Sequence, residues 1–208
     1  FRNLKPRARG QIVARQSQFE GSRMSERKIA PYGSWRSPIT SDLIVAGTVR
    51  PGQIELDGED IYWIEGRPAE KGRSVIVKRT PDRKIVDITP APFNARTRVH
   101  EYGGGSFIVG KGEVFFSNFA DQQVYRQAAN ELPVAVTPAA DRRYADYVSD
   151  PQRNRLICVR EDHTAGAHEP VNTIATISPN GEQTVLVSGN DFYSSPRLSP
   201  DGSHLAWL

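Results

Sequence analysis

Short β-rich runs return along this chain at regular intervals, and that recurrence constrains the fold more than any other feature. Ile61-Tyr62-Trp63-Ile64, Val114-Phe115-Phe116, Arg155-Leu156-Ile157-Cys158-Val159 and His204-Leu205-Ala206-Trp207-Leu208 each open a similar round. Tyr62, Phe115, Ile157 and Ala206 mark them at intervals of 53, 42 and 49 residues. Thr89-Pro90 and Thr137-Pro138 close the first two rounds, with the threonines 48 residues apart. A period of about 45–50 residues built only from short strands marks propeller blades, because helical repeats of that length would show a 3.6-residue apolar period. The rounds fill in with Ser74–Lys78, Lys84–Ile88, Phe107–Val109, Gln123–Arg126, Val134–Val136, Asn172–Ile177 and Thr184–Val187.

The turns repeat as well. In Ser178-Pro179-Asn180-Gly181 and Ser199-Pro200-Asp201-Gly202, proline presets φ, the Asn or Asp side chain accepts a local backbone bond, and glycine takes the left-handed position. A two-sheet sandwich, the alternative, has no reason to repeat its turn chemistry at blade length. The expected fold is all-β, a partial β-propeller of about three and a half blades of four-stranded antiparallel sheet. Propellers typically close with about 4–8 blades, and the last run stops inside a strand. The chain is therefore expected to be part of a longer polypeptide.

Charge divides the chain. Residues 1–23 carry Arg2, Lys5, Arg7, Arg9, Arg15 and Arg23 against Glu20, which leaves 21 basic and 23 acidic side chains over 24–208. The overall +3 thus belongs to the leader. Nucleic-acid binding, which needs a basic face on the folded part, is not expected. The leader has no apolar core of a secretory signal. Met24 is the only methionine, so a natural start there is expected, with a transit peptide as the other reading. No run is long and apolar enough for a membrane span. Cys158 is the only cysteine, which excludes an internal disulfide and a cysteine metal cluster; it reads as a buried strand residue in a cytoplasmic protein. The domain reading is a basic leader over 1–29, an N-terminal segment over 30–53 and an incomplete propeller over 54–208. Within that segment, Thr40-Ser41-Asp42 is placed to cap one helical turn.

Several motifs fail on chemistry. Gly105 to Lys111 fits the start of a phosphate-binding loop, but Gly112 stands where Ser or Thr must hold magnesium, and strands flank it where a helix is required. His100-Glu101 lacks the second histidine of a zinc helix. His163 and His168 flank a glycine-containing loop and could meet a metal, but surface loop histidines are far more common, and no metal or other cofactor is expected. No nucleophile elbow occurs, since Ile108 breaks the pattern around Ser106. No catalytic centre is expected in these residues.

Arg96-Thr97-Arg98-Val99-His100-Glu101-Tyr102-Gly103-Gly104-Gly105 lies between the first two rounds and packs charge and bulk against three glycines. Its bland reading is a polar turn in which Gly103 to Gly105 supply positive φ. Together with Tyr32-Gly33-Ser34-Trp35, Ser37-Pro38-Ile39-Thr40, Val159-Arg160-Glu161-Asp162-His163, Glu169-Pro170-Val171-Asn172 and Leu198-Ser199-Pro200-Asp201-Gly202, it resembles the amino-terminal part of the prolyl oligopeptidase family of serine peptidases. The nearest branch is similar to bacterial dipeptidyl aminopeptidase/acylaminoacyl-peptidase proteins. The resemblance covers about residues 30–208. It implies a propeller that caps an α/β-hydrolase domain and restricts entry to peptides. It also implies that the triad residues lie in that other domain, so this chain alone is expected to be inactive.

A cap that selects peptide ends needs charged groups on rigid strands or their loops. The candidate substrate-binding residues are Arg98, His100, Glu101 and Tyr102, followed by Arg160, Glu161, Asp162 and His163. Arginine could hold a carboxylate or carbonyl in a fork, and glutamate could hold a free amino terminus. The competing reading makes both clusters inter-blade salt links. Tyr32 and Trp35 could dock their segment against the other domain or pack on the propeller edge. The expected partners are peptide substrates and the hydrolase domain. The rival functions are a non-catalytic propeller that binds a protein or peptide, and a propeller enzyme acting on sugars in its own channel.

Overall fold

The computed structural model describes residues 29–34, 36–45, 47–166 and 169–208. They fall into two compact units that divide between Pro38 and Ile39. In the first unit, Pro31 to Ser34 form a turn. The Ser34 amide and hydroxyl both donate to the Pro31 carbonyl, at 3.1 and 2.7 Å, and Gly33 takes a φ of 78°. Tyr32 is fully exposed. Trp35 and the basic leader up to residue 28 lie outside the described residues.

The second unit opens with the short helix α1 (Ser41–Val45). Thr40 caps it, as expected: its hydroxyl accepts from the Leu43 amide at 3.1 Å. Three four-stranded antiparallel sheets follow in chain order. The first holds β1 (Arg50–Asp57), β2 (Asp60–Arg67), β3 (Arg73–Arg79) and β4 (Ile85–Asp87). The second holds β5 (Phe107–Gly110), β6 (Glu113–Ser117), β7 (Val124–Gln127) and β8 (Val134–Ala135). The third holds β9 (Arg142–Asp150), β10 (Arg155–Asp162), β11 (Val171–Ile177) and β12 (Gln183–Ser188). A hairpin of β13 (Arg197–Leu198) and β14 (Leu205–Ala206) begins a fourth. This is a partial β-propeller. Tyr62, Phe115, Ile157 and Ala206 each fall in the second strand of their blade, which is why they mark the repeat.

Two boundaries differ from the sequence reading. β1 starts at Arg50 rather than Ile54. Its register against β2 shifts between Pro51 and Ile54, and a bulge on an edge strand admits a proline and a glycine that a regular ladder would reject. The sequence pattern gives no strand over 142–150, yet β9 is there with nine residues. Its register against β10 also shifts, between Ile157 and Val159, and Asp146 takes a φ of 55°. The bulge buries Tyr144 and Ala145 consecutively, so the two-residue alternation is lost.

The core is divided among the blade interfaces. Tyr62 and Ile76 of the first blade meet Phe107, Val109, Val114 and Phe116 of the second. Val124 of the second meets Tyr144, Tyr147, Leu156, Cys158 and Ile177 of the third. Ala145, Ile157, Val159 and Ile174 on the other face of the third blade meet Val99, Tyr193, Leu198 and Leu205. With neighbours on both faces, β10 and β11 are buried almost without alternation, and the polar Arg160, Glu161, Asn172, Thr173 and Thr176 are buried along with the apolar side chains. Truncating a fully buried ring such as Phe116 would cost about 3–5 kcal/mol.

The Thr-Pro pairs close their blades by one device. The Thr89 hydroxyl accepts from the Ile76 amide at 3.2 Å, and the Thr137 hydroxyl from the Val124 amide at 3.0 Å. Each hydroxyl extends the ladder by one bond where the following proline cannot donate. Polar side chains also join the blades. Gln53 bonds the Phe107 carbonyl and the Ser106 amide at 2.6 and 2.8 Å. Asp57 accepts from the amides of Lys111 and Gly112 at 3.2 and 2.6 Å. These links run start to start and end to end, so the blades point the same way. Loops after even-numbered strands gather at one end of the blades, and turns after odd-numbered strands at the other.

Candidate functional site

The loop from Arg96 to Gly105 lies at the even-loop end, and its conformation follows from unusual backbone demands. His100 and Glu101 both adopt left-handed φ, 54° and 65°, which costs on the order of 1 kcal/mol each for residues with a Cβ. The turn is closed by the Glu101 amide on the Arg98 carbonyl and the Gly103 amide on the Val99 carbonyl, both at 2.9 Å. Val99 anchors it in the core.

Of the three glycines only Gly103 takes a positive φ, 91°; the expectation that all three supply it is corrected here. Gly104 and Gly105 are required by close approach. A Cβ on Gly104 would lie 3.0 Å from the Ala145 Cβ, and one on Gly105 3.1 Å from Asp146 Oδ1. Asp146 repays that approach. Its Oδ1 accepts from the Gly105 amide at 2.6 Å, its Oδ2 from the Ser195 amide at 2.9 Å, and its own amide donates to the Gly105 carbonyl at 2.7 Å. One carboxylate on the β9 bulge thus joins the strands entering the second and fourth blades.

The structure brings part of the two predicted clusters together. Strand alternation splits residues 160–163 between the faces of the third blade. Glu161 and His163 turn toward the 96–105 loop. Glu161 is 2% exposed. Its Oε2 accepts from the His100 amide at 2.5 Å, and its Oε1 lies 2.5 Å from His163 Nε2 and 3.2 Å from Arg143 Nη1. The same Arg143 nitrogen bonds Glu101 at 2.6 Å and the Arg98 carbonyl at 2.9 Å. The His100 ring is buried between Tyr102 and Phe192, with centroids at 5.9 and 5.0 Å. Its Nε2 donates to the Tyr193 carbonyl at 3.2 Å.

Arg160 and Asp162 belong to the opposite face. Arg160 reaches Gln183 at 3.4 Å and Asp162 at 3.5 Å. Asp162 pairs with Arg142 at 2.8 Å. Burial pushes the Asp162 carboxyl up, but the Thr164 hydroxyl and amide and Arg142 together hold it below the usual range. Arg143, with help from the charges of Arg98 and His163, holds the exposed Glu101 carboxyl low as well.

The predicted residues therefore differ in availability. Tyr102 and the Glu101 side chain are 83% and 78% exposed, and Arg98 is exposed. His100, Arg160, Glu161 and Asp162 are engaged within the blades. His168, weighed as a metal partner for His163, lies outside the described residues. Among the described residues no group of three or more metal-binding side chains assembles. Sequence reasoning missed Arg143, Asp146 and Phe192; they sit on the unrecognised β9 and on the loop after β12, where no motif signals them. At the opposite end, a cavity of about 380 Å³ opens between the second and third blades, lined by Phe115, Arg126, Val136, Arg155 and Leu156 among others. None of the predicted site residues lines it. Gly105 to Lys111, weighed as a phosphate loop, runs along β5 into the hairpin turn before β6.

No protein-family model matches the sequence, and no curated protein matches it. Solved structures do. A puromycin-hydrolysing peptidase of Mycobacterium tuberculosis superposes with a TM-score of 0.76 at 37% identity, over 87% of this chain and 31% of that one. A puromycin hydrolase superposes at 0.76 and 32% identity, over 86% of this chain and 30% of that one. Its serine-to-alanine variant, complexed with PGG, matches equally. TolB from Acinetobacter baumannii, at 0.51 and 15% identity over 74% of this chain and 36% of that one, shares the fold alone. The chain spans about a third of the length of the two hydrolases. It is similar to the propeller portion of these peptidases, as the motifs around Arg96–Gly105 imply.

Proposed function

We propose that this chain is the gating propeller of a serine peptidase of the prolyl oligopeptidase kind, which hydrolyses short peptides in an α/β-hydrolase domain of the same polypeptide. The observation that carries the reading is the match to puromycin-hydrolysing peptidases over nearly all of this chain but only 31% of theirs. The serine-to-alanine variant among those structures favours serine as the nucleophile. In that chemistry a serine hydroxyl attacks the peptide carbonyl, a histidine takes its proton, and water resolves the acyl-enzyme. The propeller contributes no group to those steps. It limits what reaches them. Within it, Arg98 and Tyr102 are exposed toward a peptide, and Glu101 is exposed while bonded to Arg143. Glu161, Arg143, His163 and His100 hold the loop that presents them.

The test is fluorophosphonate labelling of the native protein from its source, read by intact mass. A labelled species much larger than 23.1 kDa that contains peptides of this sequence is the expected result. An unlabelled protein containing the same peptides would sink the serine peptidase and leave the binding propeller, which the fold shared with TolB also accommodates.

A further inference from the structure

We propose that Arg96, Arg98 and Phe119 form a receptor for a peptide carboxylate at the even-loop end of the second blade. The inference rests on the reading above that this protein handles peptides, and it adds a class of substrate to it.

Residues 95–99 alternate strictly: Ala95, Thr97 and Val99 are buried, and Arg96 and Arg98 are exposed. Two guanidiniums therefore leave one side of one extended segment. Both meet the same ring. Arg96 Cζ lies 4.9 Å and Arg98 Cζ 5.5 Å from the centroid of the half-buried Phe119. An aromatic face attracts a guanidinium and steadies its plane without consuming its N–H donors.

The backbones under this arrangement are fixed. The Asn94 amide donates to the Asn118 side chain at 3.1 Å, and the Arg96 amide to the Ser117 carbonyl at 3.0 Å. Gln122 clamps the two segments together. Its side-chain oxygen accepts from the Arg98 amide at 2.8 Å, and its side-chain nitrogen donates to the Phe119 carbonyl at 2.9 Å.

Among the described residues neither guanidinium has an ion-pair partner. By contrast Arg142, Arg143 and Arg160, at the same end of the third blade, are each within 4 Å of a carboxylate. The nearby acids are already engaged. Glu101 is bonded to Arg143 and meets Arg98 only through its charge. Asp121 accepts from the Asn118 side chain, the Gln123 amide and the Tyr125 hydroxyl. Two unspent, oriented forks suit a planar two-oxygen anion, which each can bind in bidentate fashion. In a peptide that anion is the terminal carboxylate or an Asp or Glu side chain.

The experiment uses the full-length polypeptide that carries this chain. Four fluorescent peptides share one sequence: a free carboxyl terminus, an amidated terminus, an amidated peptide with one added glutamate, and an amidated peptide with one phosphoserine. Binding is read by anisotropy, and hydrolysis is followed in parallel by mass spectrometry. At least one carboxylate peptide is expected to bind about tenfold more tightly than the neutral amide, as one net charge-assisted contact predicts. Which one it is assigns the terminal or the side-chain carboxylate. The Arg96→Ala/Arg98→Ala double variant should lose that preference, the carboxylate peptide falling to the affinity of the neutral amide. The double lysine variant should restore only part of it, since an ammonium lacks the fork. Both side chains are exposed, so the variants should melt like wild type. Equal affinity for all four peptides, an equal loss for neutral and charged ones, or a phosphopeptide bound tighter than either carboxylate peptide would overturn the assignment. Hydrolysis without carboxylate preference leaves the peptidase standing and removes this site. Preference without hydrolysis or fluorophosphonate labelling does the reverse.

Discussion

Gly104 shows how a single missing Cβ sets the geometry of the candidate site. Its Cα stands where a side chain would press on both Ala145 and Asp146, each 3.0 Å from the added atom. Gly104→Ala must therefore displace the β9 bulge or the 96–105 loop, and overpacking of this kind costs about 1–3 kcal/mol. Chemical denaturation of the variant should show that loss; an unchanged midpoint would mean the bulge yields freely. Cys158 gives the complementary case. Burial pushes its thiol up to about 12, and it is fully inaccessible. A maleimide or disulfide reagent at pH 8 should label it only as fast as the blade unfolds, with a rate that rises with added denaturant. Rapid labelling of the native protein would contradict the packing between the second and third blades.

At the scale of elements, one turn design recurs with different letters. Ser178-Pro179-Asn180-Gly181 and Ser199-Pro200-Asp201-Gly202 place glycine at φ 85° and 68°. Thr80-Pro81-Asp82-Arg83 builds the same turn, with the Arg83 amide on the Thr80 carbonyl at 2.8 Å, but puts an arginine at φ 68°. Arg83→Gly should therefore stabilise the protein, by up to about 1 kcal/mol after the entropy that glycine adds to the unfolded chain. A thermal melt that falls would show that the arginine repays its strain elsewhere. The glycine of the Ser178-Pro179-Asn180-Gly181 turn answers a further demand. A Cβ on Gly181 would meet the Val136 carbonyl oxygen of the neighbouring blade, so that position tolerates no side chain whatever the φ.

Across the whole molecule, paired carboxylates set the response to acid. Burial pushes the Asp150 carboxyl up, and Arg155 and Arg153 outweigh it and hold it low. Arg67 holds Asp87 low, and the Ser199 and Ser203 hydroxyls take Asp201 to about 2. A carboxyl with a depressed folded pKa contributes stability above its unfolded value, about 3.9 for Asp, and loses it as pH falls through the folded value. Stability should therefore be level from neutrality to about pH 5 and fall steeply below about pH 4. Asp150→Asn should lower stability at pH 7 and flatten the acid limb, as urea midpoints at pH 7 and pH 3 would reveal. Parallel pH curves for variant and wild type would remove Asp150 as a contributor.

By itself the sequence determined the blades, because short apolar runs, Ser-Pro-Asx-Gly turns and Thr-Pro closures are local and repeat their chemistry. It also pointed to the 96–105 loop, whose composition is out of place in a plain turn. Only the tertiary structure decided what that loop does with its charges. Alternation on β10 sends Glu161 and His163 to one face and Arg160 and Asp162 to the other, so one charged run serves two environments. The bulge at Asp146 hides β9 from any periodicity, and with it Arg143, which holds the loop. Arg96 and Arg98 look like their neighbours in the sequence. They differ because the fold supplies acids to Arg142 and Arg143 and supplies a phenyl ring to these two. Partner choice of that kind is a long-range property, set by which strands the blades bring side by side.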